Sequence, residues 1–138
     1  MLNSETTQAG IGILGKTYSA LSDYRQAGSN IRQLKASAEN KIAFGKIEAE
    51  RIRRDAERTL SSAQAELAAS GLDVSGANSQ AIQDIIRYNG EMSAYERIFS
   101  STNEALALQQ QARNLKKTQK AGMFKSVLSI GSDIYGAM

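Results

Sequence analysis

From Ile31 to Leu67, apolar or small residues recur at Ile31, Leu34, Ala38, Ile42, Gly45, Ala49, Ile52, Ala56, Leu60, Ala63 and Leu67, and no proline interrupts them. Thirty-six residues crossed in ten steps average 3.6 per step, the period of an α-helix with one buried stripe. Lys, Glu and Arg fill the other faces. Glu50 stands four residues before Arg54 and Glu57 three after it, pairs that contribute only about 0.2–0.5 kcal/mol each on an exposed helix. A helix from about Tyr18 to Ser70 would be on the order of 80 Å long at 1.5 Å per residue. A compact domain of 138 residues has a radius of gyration of only about 14 Å. Such an arm cannot be wrapped into a compact monomer, and its Ala-rich stripe buries little area per residue. The sequence therefore predicts that neighbouring copies of the chain complete the packing.

The first arm stops at Ala69-Ser70-Gly71-Leu72. With Gly71 as the left-handed residue after the helix, Leu72 and Leu67 are the pair that touch in a Schellman ending. Asp73, Ser75, Asn78 and Ser79 then offer side-chain oxygens as N-caps, so a second helix can begin anywhere from Ser75 to Ser79. That second arm carries Ile82, Ile85, Ile86, Met92, Tyr95, Ile98, Phe99, Thr102, Leu106 and Leu108 before turning polar through Gln109-Gln110-Gln111. Gly90, inside this pattern, costs about 1 kcal/mol relative to Ala and marks a kink or a close helix contact.

Both ends change character. Ile11, Leu14, Tyr18 and Leu21 form an apolar stripe among Gly, Ser and Ala, and Met123, Phe124, Val127, Leu128, Ile130, Ile134 and Tyr135 form another among Gly122, Gly131 and Gly136. Small residues beside apolar ones suit helix association, in lipid or in a tight bundle. These eleven large residues are the candidate membrane or assembly contacts. Arg113, Lys116, Lys117, Lys120 and Lys125 accompany the second stripe with no acid between Arg113 and Lys125, which makes them candidate contacts for DNA or anionic lipid. The alternative for this tail is a final helix docked on its neighbours.

The expected fold is all-α: an elongated hairpin of two long helices with short apolar terminal helices, assembling side by side into an oligomeric ring or tube. Its segments are an apolar Gly-rich stretch over 1–22, a long helix over 23–70, a turn over 71–79, a long helix over 80–120 and an amphipathic tail over 121–138. Neither apolar end reaches the roughly 18–20 residues that a lone membrane-spanning helix requires. The polar start, Met1 to Thr7, does not read as a secretory signal.

The chain has no Cys, His, Pro or Trp. It offers no thiol nucleophile, imidazole base, disulfide framework or zinc site of the usual N/S type. Carboxylates such as Glu48 and Asp55 lie on charged surface without an apolar pocket to raise a pKa, so no enzyme site, metal site or cofactor is expected. Arg51, Arg53, Arg54 and Arg58 are interleaved with Glu48, Glu50, Asp55 and Glu57, which cancel the field a phosphate-binding patch needs. Gly10-Ile11-Gly12-Ile13-Leu14-Gly15-Lys16-Thr17 fits the phosphate-loop pattern G-x-x-x-x-G-K-[S/T]. Its context does not: no buried strand feeds it, and no β-branched run supplies a parallel sheet.

The stretch Ile47-Glu48-Ala49-Glu50-Arg51-Ile52-Arg53-Arg54-Asp55-Ala56-Glu57, through Gln64 and Leu67-Ala68-Ala69-Ser70-Gly71-Leu72-Asp73-Val74-Ser75-Gly76, resembles the small internal virion proteins, or ejection proteins, of short-tailed bacteriophages. The resemblance covers roughly residues 42–100. It places Gly71, Leu72, Asp73, Ser75 and Gly76 at the hairpin turn, where Ser75-Gly76-Ala77 departs from the second Ser common in relatives. It implies a protein held in the virion interior and released into the host envelope. There the smallest member forms an α-helical channel in the outer membrane, continued across the periplasm by larger ejection proteins. Implied partners are further copies of the chain, other ejection proteins, the host outer membrane, and double-stranded DNA passing through without sequence recognition. The physical pattern fits that role, since helices without Pro, Cys or a bulky aromatic core can be threaded unfolded and refold through local contacts. A structural adaptor of the virion or tail, with both ends docked on protein, is the alternative. For the Gly10–Thr17 motif, equilibrium titration with a fluorescent ATP analogue is expected to show no saturable binding.

Overall fold

The computed structural model describes the backbone of residues 4–136 and the side chains of residues 12 and 14–129. It contains two α-helices, α1 (Ser4–Ala69) and α2 (Ala77–Gly136), and no strand among the described residues. The helices pack against each other as an all-α hairpin. Separate short terminal helices do not form: residues 4–22 belong to α1 and 121–136 to α2 without a break. With no proline in the chain, each glycine weakens these segments by only about 1 kcal/mol. A break would instead free four carbonyls and four amides at each new pair of helix ends. The second helix begins at Ala77, inside the span expected for the turn.

The chain divides into two compact units, and both helices contribute to each: Ser37–Ala107, and Met1–Ala36 with Leu108–Met138. In the first, every α1 stripe residue from Ala38 to Leu67 is buried or half-buried. The α2 face that meets them is not its large apolar stripe. It consists of Ser79, Gln83, Gly90, Ala94, Ser101 and Ala105, all buried. Ser79, Gly90 and Ser101 recur at intervals of eleven residues, as do Gln83, Ala94 and Ala105, and on α1 Ala38, Ala49 and Leu60. Eleven residues in three turns give about 3.67 per turn, close to a straight helix and favouring right-handed winding.

Small side chains let the backbones approach. A methyl group added at Gly90 would lie 2.5 Å from the Ala56 Cβ, and one at Gly45 would lie 2.5 Å from the Ser101 Cβ. Gly90 therefore marks a close contact, with α2 continuous through it. Polar pairs fix the register along the same unit. Lys41 Nζ meets Glu104 at 2.7 Å, Arg97 Nε donates to the Glu48 carboxylate, Arg53 Nε donates to Glu91 at 3.1 Å, and Gln64 Nε2 donates to Gln83 Oε1 at 3.0 Å. A one-residue slip would separate all of them at once.

In the other unit Ile31 and Ala112 are buried, and Ala20, Ala27, Leu34, Leu108, Gln119 and Ser126 are half-buried. Gln119 Nε2 donates to the Tyr24 carbonyl at 2.8 Å, tying α2 to α1 there. Because overpacking a tight seam costs about 1–3 kcal/mol, Gly90→Ala should lower the thermal midpoint followed by circular dichroism. Gly28→Ala meets nothing within 4 Å and should raise the midpoint, by up to about 1 kcal/mol of helix propensity.

Candidate functional site

The turn is built by its own polar atoms. Gly71 has φ of 75°, the Leu72 N–H donates to the Leu67 carbonyl at 3.1 Å and the Gly71 N–H donates to Ala68 at 3.1 Å, the two bonds of a Schellman ending. Asp73 Oδ1 then accepts from the Ser75 N–H at 2.9 Å and the Ser75 hydroxyl at 2.6 Å, while the Asp73 carbonyl accepts from the Gly76 N–H and the Ser79 hydroxyl. Gln83 Nε2 reaches back to the Val74 carbonyl at 3.1 Å. Ser79 thus holds the loop rather than capping α2, and the first α2 hydrogen bond runs from Gln80 to the Gly76 carbonyl. The hydrogen bonds from Ser75 hold the Asp73 carboxyl below its ordinary value.

The terminal stripes lie together in the unit formed by residues 1–36 and 108–138. Leu14, Tyr18, Leu21, Met123, Phe124, Val127 and Leu128 are all exposed, Tyr18 at 76% and Phe124 at 75%. Leu21, Tyr24, Ala27, Leu115, Met123 and Val127 line an apolar groove of about 610 Å³ between the two helices. Ile11, Ile130, Ile134 and Tyr135 lie outside the residues whose side chains are described. Among the described residues no helix is long and apolar enough to cross a membrane.

Arg113, Lys116, Lys117 and Lys120 share one exposed face of α2 with Gln110 and Asn114, around a shallow groove of about 430 Å³. Lys125 is exposed as well. Among the described residues no ion pair involves any of these five, and all of them are exposed. Residues 10–17 are a continuous part of α1, so their amides belong to helical hydrogen bonding instead of curling round a phosphate. The Thr17 hydroxyl donates to the Leu14 carbonyl at 2.9 Å.

The charge pattern on α1 also differs from its sequence reading. Glu50 pairs with Arg53 at 2.5 Å and Asp55 with Arg58 at 3.3 Å, and Arg54 has no ion pair among the described residues. Glu48 is engaged by Arg97 and the Glu104 carboxyl is held low by its hydrogen bond to Lys41. The acids that interleave with the arginines are therefore largely committed to partners. The large side chains of α2, among them Ile85, Tyr88, Met92, Tyr95, Phe99 and Leu106, stand exposed, and the Tyr95 and Phe99 rings stack at 6.4 Å. A period of eleven beside a period of seven on the same helix was the available signal for separating this face from the seam.

No protein-family model, curated protein or solved structure matches the chain.

A carboxyl held low in the fold contributes stability that is present above its unfolded value of about 3.9 and is lost as pH falls through the folded value. Asp73→Ala should therefore lower the urea midpoint at pH 7, and the gap to the parent chain should narrow at pH 3.

Proposed function

We propose that the chain is a phage ejection protein. It is packaged in the virion, released into the host envelope, and assembled there side by side into an α-helical channel that passes the genome and the larger ejection proteins. The reading draws on the resemblance over residues 42–100, and is supported above all by where the large apolar side chains sit. Among the described residues the hairpin buries Ala, Gly and Ser along its seam, and Ile31 and Leu60 are its only large buried aliphatic residues. Most of the other large apolar side chains described stand exposed, open to contact with something outside the single chain.

The two ends then act together at lipid. Leu14, Tyr18, Leu21, Phe124, Val127 and Leu128 supply an exposed apolar surface within one unit, and Arg113 to Lys125 supply cations for anionic headgroups or for passing DNA. Such a surface enters the membrane interface before any assembly spans it.

Dye release from vesicles containing anionic lipid tests the proposal. The full chain should empty them, and a chain lacking residues 122–138 should not. Undiminished release by the truncated chain would remove the tail from the membrane role. If the intact chain never floats with vesicles at any salt, the adaptor reading, with both ends docked on protein, replaces the channel.

A further inference from the structure

We propose that the outer face of α2 in the Ser37–Ala107 unit docks on the outer face of α1 of a second copy of this chain, head to tail, so that every copy uses both faces. This deepens the assembly reading above and rests on it only for the presence of more than one copy.

The two faces share a period. On α2, Ile85, Tyr88, Met92, Tyr95, Phe99 and Leu106 are exposed, and Ile85, Met92, Phe99 and Leu106 stand seven residues apart. On α1, Phe44, Ile47, Arg51, Arg54 and Arg58 are exposed at alternating steps of three and four, with Phe44, Arg51 and Arg58 seven apart. Seven is the repeat of a left-handed seam between separate helices, whereas the seam inside the hairpin runs on eleven. Each helix thus carries two contact faces of different pitch, and one of them is already filled.

Size and charge choose the occupant. The six α2 side chains leave on the order of 100 Å² each uncovered, roughly 600 Å² together, against about 800 Å² per partner in a stable interface. Asp84 and Glu91 beside that stripe are engaged by Arg87 and Arg53, which leaves Glu96 as the uncompensated charge bordering it and favours a basic partner over a second copy of the same face. The α1 face is basic: among the described residues neither Arg51 nor Arg54 has an ion pair, and neither does Glu96. A groove of about 480 Å³ between Met92, Tyr95, Glu96 and Phe99 offers an arginine a ring face and a carboxylate.

Register provides an independent check. Within the hairpin Glu48 faces Arg97, Arg53 faces Glu91 and Ala56 faces Gly90. A ring generated by rotation alone leaves each residue at the height it has in the hairpin. Ile47 then comes level with Phe99, Arg51 with Tyr95, Arg54 with Met92 and Arg58 with Tyr88. Ile47 meets an apolar ring, Arg51 and Arg58 meet tyrosines, and Arg54 meets the Met92 thioether.

The absence of native cysteine makes the test direct. Ile47→Cys, Phe99→Cys and Ile85→Cys chains are prepared singly, checked for unchanged helicity, and oxidised alone and in pairs. A disulfide needs Cα atoms about 4.4–6.8 Å apart, so register decides the product. Ile47→Cys mixed with Phe99→Cys should give a covalent dimer. Either chain alone, or Ile47→Cys mixed with Ile85→Cys, should not. Dimerisation of Phe99→Cys by itself, equal yield with Ile85→Cys, or no disulfide product at all would overturn the proposal. The outcome is separable from the channel reading: cross-linking with vesicles left sealed keeps this interface and removes the channel, and dye release without the Ile47–Phe99 product does the reverse.

Discussion

Close approach of two helix backbones, made possible by Gly45, Ala49, Ala56, Gly90, Ala94 and Ser101, is the constraint on which the Ser37–Ala107 unit depends. At that separation the closest points admit only Gly, Ala and Ser, Leu60 is the one large aliphatic side chain buried among the described residues of this unit, and most of the larger side chains of α2 are turned outward. Cohesion inside the hairpin comes from many short van der Waals contacts, each worth only about 0.1–0.2 kcal/mol, together with a few ionic and amide pairs that hold the register. The outward displacement of Ile85, Tyr88, Met92, Tyr95 and Phe99 follows from the same geometry.

The hairpin was readable from the sequence because its signals are local. The 3.6 period from Ile31 to Leu67 identifies α1 and its inner face, and Leu67, Gly71 and Leu72 stand at the spacing the hydrogen bonds use. The inner face of α2 was hidden for a physical reason. Ser79, Gln83, Gly90 and Ser101 are not hydrophobic, and what places them inside is small volume or a satisfied hydrogen bond, properties that depend on the partner helix. Hydrophobicity pointed instead to the opposite side of α2, where the exposed stripe lies. The ends differ in another way: where the change in composition suggested short terminal helices, residues 4–22 and 121–136 run on as parts of α1 and α2.

Charge shows the same dependence on partners. Counted along the chain, Glu48, Glu50, Asp55 and Glu57 balance the arginines among them. In the hairpin Glu48 turns to Arg97, Glu50 and Glu91 share Arg53, and Arg51 and Arg54 are left facing outward. Near-neutral composition therefore becomes one basic face beside Phe44 and Ile47, opposite in sign to Glu96 at the border of the α2 stripe. Arg113, Lys116, Lys117, Lys120 and Lys125, by contrast, have no acid among them, and the hairpin leaves all five exposed.

The miniature side chains of the seam have one more effect. Ala and Gly have no rotamers to lose and Ser few, whereas ordering a Met, Gln or Lys side chain costs up to about 2 kcal/mol. Along the Ala, Gly and Ser positions of the seam, closure therefore restricts few side-chain torsions, and the rotamer cost of rejoining two helices that have been drawn apart is concentrated in the few ionic and amide pairs that set the register.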